Sequence, residues 1–124
     1  MAGAAPTAAP AGGATAELVE VRVSAPDAET AQALAASLVR GRLAACAQVL
    51  GPITSTYWWD GAVETAQEHL LLAKSTADKF EAICALVHAE HPYDTPEVLA
   101  VPVTAAAEAY AAWLADVLAG GPRD

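Results

Sequence analysis

The sequence predicts an α+β fold, one antiparallel sheet with helices on one of its faces, and three observations carry that expectation. Segments with period-two apolar alternation and segments with helical period follow in the order strand, helix, two strands, helix, strand, helix. Asp60-Gly61 divides two long extended segments, and both residue types tolerate the positive φ that a tight hairpin turn requires. The length of 124 residues suits one core rather than two.

The elements follow in order. Residues 1–16 contain only alanine, proline, glycine and threonine after Met1, so they offer no large apolar side chain to offset the entropy of ordering. The expectation is a disordered tail before a domain at 17–124. The tail lacks the basic start and leucine-rich centre of an export signal, which points to a cytoplasmic protein.

Leu18, Val19, Val21 and Val23 alternate with Glu20 and Arg22 as a strand that ends at Ser24-Ala25-Pro26. Asp27 suits the cap of a helix whose stripe is Ala31, Leu34, Ala35 and Leu38, closed by Arg40-Gly41-Arg42. Ala44 to Leu50 and Ile53 to Trp59 read as extended, joined at Gly51-Pro52. The strand returning from Asp60-Gly61 runs to about Lys74, with Glu68, Leu70, Leu72 and Lys74 on one face and His69, Leu71 and Ala73 on the other.

Ser75 or Thr76 is expected to cap a second helix with the stripe Phe80, Ile83, Cys84 and Val87, ended by Pro92. Val98 to Val103 reads as a strand at an edge, because Pro102 cannot donate to a ladder. Glu108 to Leu118 reads as a last helix packing through Tyr110, Trp113, Leu114 and Val117. Without that last helix the order is the βαββαβ unit of a ferredoxin-like sandwich.

A formal charge of −9 repels phosphate backbones and anionic membranes, so neither nucleic acid nor a membrane is an expected partner. Cys46 and Cys84 form no CxxC pair, which argues against a disulfide framework or a structural zinc site. A small subunit also gains stability by burying surface against copies of itself.

The densest chemistry lies in HPYDTPE, His91 to Glu97, where two prolines stiffen a connector carrying a histidine, a tyrosine and two acids. Together with SAPD at Ser24, RLAAC at Arg42, TSTYWWDG at Thr54 and LLAKST at Leu71, this string resembles the CutA divalent-cation tolerance family. The five strings keep the family's order and spacing over about Leu18 to Leu118. The resemblance implies a ferredoxin-like subunit in a stable homotrimer built like the PII signalling proteins, whose intersubunit clefts bind small ligands. It also implies a part in the response to metal ions, copper among them.

Copper and similar metals take imidazole and thiolate ligands, so His91 is the first candidate, with Glu90 and Cys46 as helpers in weak binding. Some bacterial relatives carry a cysteine at the position of Val23 and a second histidine at that of Glu90. A purely structural role for His91, capping the second helix or bonding across a cleft, stands beside the metal role. Cys46 reads either as a small buried hydrophobe within a strand or as a cleft-lining thiol, while Cys84 reads as core and His69 and His88 as surface or satisfied residues.

Trp58 and Trp59, adjacent on a strand, must point to opposite faces. With Lys74, Tyr93 and Glu97 they form the candidate cleft set for a small metabolite, and Lys74 with Glu97 could instead be an ion pair that pins the trimer. Cys46, His91 and Glu97 name a conceivable thiol triad, but a cysteine within a strand of an acidic chain lacks the positive surroundings a thiolate needs. The expected function is therefore metal-ion tolerance by a binding protein rather than an enzyme, with a PII-like metabolite sensor or scaffold as the alternative.

Overall fold

The computed structural model describes residues 17–121, so the alanine- and proline-rich tail lies outside the described residues. The chain runs β1 (Leu18–Ala25), α1 (Ala28–Arg40), β2 (Cys46–Trp59), β3 (Ala62–Thr76), α2 (Phe80–Glu90), β4 (Val98–Pro102) and α3 (Glu108–Leu118). A single 3-10 turn at Ala77–Lys79 leads into α2. The sheet order is β2-β3-β1-β4 with every neighbouring pair antiparallel, the ferredoxin-like arrangement with one added helix. Pro102 lies on the edge strand β4, as its missing N–H demands.

Alternation decides which face is covered. Val19, Val21 and Val23 of β1 and Leu71 and Ala73 of β3 point to one side, where they form a core with Leu34 and Leu38 of α1 and Ile83 and Val87 of α2. Burying each of the larger side chains contributes about 1.5–3 kcal/mol, and these contacts hold both helices on the sheet. The opposite face carries Glu20, Arg22, Leu70, Leu72 and Lys74, with Leu50 and Leu99 substantially exposed beside them.

The turns follow their local chemistry. Asp27 Oδ1 accepts from the Thr30 amide at 2.7 Å, and that backbone bond, first among its causes, holds the Asp27 carboxyl below its usual pKa. Asp60 and Gly61 take φ values of 52° and 81°. At Gly51 the ladder slips between Leu50 and Ile53, and a Cβ built there would sit 2.7 Å from the His69 ring. Only glycine leaves room for that side chain and also accepts its φ of 150°.

Four expectations need correction. Ser75 and Thr76 do not cap α2: both continue β3, paired with Val19 and Leu18, and the Ser75 hydroxyl donates to the Leu43 carbonyl at 2.5 Å. Cys46 opens β2 instead of lying within it, since the chain before it is still leaving α1. On α3 only Leu114 is fully buried, whereas Tyr110 and Trp113 remain about two-fifths exposed. His69 is half-buried on the helix side of the sheet, and its Nδ1 is buried without a hydrogen-bond partner among the described residues.

Past the pair Ala25↔His69 the central ladder stops, but β2 and β3 continue together for seven more pairs, from Ile53↔Glu68 to Trp59↔Ala62. This two-stranded ribbon reaches roughly 23 Å beyond the sheet at about 3.3 Å per residue. Among the described residues no third strand pairs with it, and most of its side chains are exposed.

Candidate functional site

The polar groups gather at two ends of the sheet. At the end where β1 finishes, α2 gives way to His91, which Pro92 forces into an extended conformation. The His91 side chain then folds onto β1, where Nε2 lies 2.8 Å from the Ser24 carbonyl oxygen, while the Tyr93 amide donates to Nδ1 at 3.1 Å. These partners assign the proton to Nε2 and make the ring neutral, with both nitrogens committed.

The Tyr93 ring lies tilted against the imidazole at 4.7 Å between centroids, and its hydroxyl donates to Glu68 Oε2 at 3.0 Å. Burial, then the bond to Glu68, pushes the Tyr93 phenol up to about 12. Ser24 completes the group by donating from Oγ to Glu97 Oε1 at 3.4 Å. The HPYDTPE segment is thus a clasp: its own side chains fasten it to β1 and β3, with its His91 buried and Ser24 and Glu68 buried beneath it.

The other end lies four residues back along β1, about 13 Å away at strand rise. There Lys74 Nζ donates to Gln48 Oε1 at 2.7 Å and stands 3.6 Å from Glu20, which also pairs with Arg22 at 2.9 Å. The start of α3 comes against this end, where Tyr110 Oη meets Cys46 Sγ at 3.0 Å. At the far end of α3, Arg42 donates to the Val117 carbonyl at 2.6 Å.

The candidate residues therefore fall into separate places within one chain. His91 is in the clasp, Glu90 accepts from Ser37 of α1 at 2.9 Å, and Cys46 is at the other end of the sheet. Among the described residues no three His, Cys, Asp or Glu side chains gather as a metal site. Tyr93 and Glu97 share the clasp, whereas Lys74 pairs with Glu20 rather than Glu97. Trp58 and Trp59 stand on opposite faces of the ribbon, 75% and 64% exposed, and neither enters the core of its own chain.

The thiol triad is not assembled, because Cys46 and His91 lie at different ends and both His91 nitrogens are engaged. On the helix stripe, Cys84 is half-buried, and burial followed by the nearby Glu81 raises its pKa, which disfavours the thiolate. Sequence reading missed Glu68, Ser24 and Ser37 as site partners. The one available signal was an acid, Glu68, set among leucines on a strand face.

Fold and site together define a ferredoxin-like α+β protein with a clasped connector at one end of the sheet and an added helix at the other. The family profile described as CutA1 divalent ion tolerance protein matches residues 19–117. The divalent-cation tolerance protein CutA of Citrobacter koseri is 42% identical over 98 residues, which cover 79% of this chain and 85% of that protein. The crystal structure of CutA1 from Oryza sativa superposes with a TM-score of 0.80 at 37% identity, covering 83% of this chain and 94% of that one. A divalent cation tolerance protein from Thermus thermophilus gives 0.76 at 39% identity, covering 78% and 94%. The chain belongs to the CutA1 divalent ion tolerance family.

Proposed function

We propose that the protein serves divalent-cation tolerance as a homotrimer, and that it binds its cation, copper or another divalent ion, weakly and between subunits. The observation that carries this reading is the separation of the donors: His91, Glu90 and Cys46 each have their own partner in one chain. A second copy would offer a donor from one end of its sheet to a donor at the other end of this one. His91 must also open one of its two hydrogen bonds to ligate, which costs free energy and fits low affinity. The exposed Leu50 and Leu99 of the open sheet face, together with the ribbon, offer surface for assembly. We read the protein as a binder rather than an enzyme, and place it in the cytoplasm on its two free cysteines.

Calorimetric titration with Cu(I) and Cu(II), paired with sedimentation of the same samples, tests this. Binding in the micromolar range that weakens about tenfold in both Cys46→Ser and Glu90→Gln, with the trimer intact, is the expected result. Affinity unchanged in both variants would make the link to metals indirect.

A second reading draws on Trp58 and Trp59, whose exposed rings could wall a cleft against another subunit's Lys74, Tyr93 and Glu97. A small metabolite held there would make the assembly a PII-like sensor or scaffold. Native mass spectrometry distinguishes the two, since a co-purifying small mass favours the sensor and a bare trimer favours the metal.

A further inference from the structure

We infer a binding site within a single chain: the recess of about 300 Å³ between α3 and the start of β1 takes a small carboxylate with an apolar body. This goes beyond the metal reading and shares only Lys74 with the intersubunit cleft. The volume is at the lower end of the range for small-molecule sites, and the composition is typical of them, mostly apolar with few polar groups. Leu18, Val103, Leu114 and the small Ala105 to Ala107 give it apolar walls, and Lys74 and Tyr110 are its polar members.

Charge selects the ligand. Among the described residues Lys74 is the one cation lining the recess, and it shares the carboxylate of Glu20 with Arg22. One N–H of Lys74 is used by Gln48, and Glu20 at 3.6 Å is too distant for a hydrogen bond, so the ammonium retains donors for an incoming oxygen. Tyr110 adds a hydroxyl to the wall, 3.0 Å from the Cys46 sulfur.

A cation is repelled by Lys74. A phosphate monoester would bring nearly two negative charges to a single lysine in an acidic protein. A carboxylate brings one, and its apolar body matches the walls.

The test uses benzoate and its neutral isostere benzamide on the full chain, followed by saturation-transfer NMR and calorimetry. Benzoate is expected to bind at least tenfold more tightly than benzamide, a comparison that needs no variant. Lys74→Met should weaken benzoate at least tenfold while Glu20 keeps Arg22, and Ala106→Phe, at an exposed wall position, should abolish binding by filling the recess. Equal binding of the two probes, undiminished binding in Ala106→Phe, or no benzoate binding at all would overturn the site. Sedimentation of the same samples keeps this apart from the assembly reading. A monomer that binds benzoate sinks the trimer alone, whereas a trimer that does not bind it sinks the recess alone.

Discussion

The clasp and the ribbon, which meet at Glu68 of β3, differ in whether they are complete. In the clasp three of the polar side chains that make the segment look chemical have found partners in their own chain: His91 two, Tyr93 one through its hydroxyl, Glu97 one. In the ribbon the large apolar side chains have found none, and Trp58, Trp59, Val63 and Tyr57 stay exposed. A lone two-stranded ribbon is marginal in water. The clasp residues that read as functional therefore hold the chain together, whereas the two tryptophans that read as lining a cleft are left uncovered by their own chain.

If that contrast is right, the largest effect belongs to the ribbon. Replacing Trp58 and Trp59 together by serine should collapse the proposed trimer to smaller species in sedimentation, while the core that does not include them keeps its circular dichroism signature. A trimer of undiminished stability in the double variant would break the comparison, because the ribbon would then be incidental to assembly.

The clasp should respond in the opposite way. His91→Ala leaves the Ser24 carbonyl and the Tyr93 amide without their partner in a buried setting, which should cost about 2–4 kcal/mol in denaturant unfolding with assembly unchanged. Stability equal to the unsubstituted protein would mean that the imidazole is held for ligation instead.

How much of this was legible depended on sequence distance. Asp27, Asp60-Gly61 and the alternation through Glu68 to Lys74 are local signals, and each gave its element correctly. Ser75 misled because a hydroxyl before an apolar stripe suits a helix cap, whereas its fate was set by the ladder with β1, more than fifty positions away. The clasp was recognisable as a rigid, polar connector, yet its partners were not: Tyr93 finds Glu68 across 25 positions and Cys46 finds Tyr110 across 64. Such pairings are fixed by strand order and helix placement, which local pattern does not encode. The exposure of Tyr110 and Trp113 was hidden for the same reason, since an amphipathic stripe shows that a helix packs without showing on which chain.

Tyr93 offers the finest test of the clasp, because its bond to Glu68 can be removed by pH as well as by substitution. Its folded pKa of about 12 lies above the ordinary 10, so the neutral phenol is favoured by folding. The resulting stability is fully present below pH 10 and is lost as pH rises toward 12. Tyr93→Phe should cost about 1 kcal/mol at neutral pH, at the modest end because the ring is partly exposed, since Glu68 then loses a donor. The same change should flatten the alkaline loss, leaving the share that Tyr110 contributes through its own raised value. Double substitution with Glu68→Gln measures the coupling directly: a nonadditive deficit places Tyr93 in the clasp, and simple additivity would mean that the two side chains act apart.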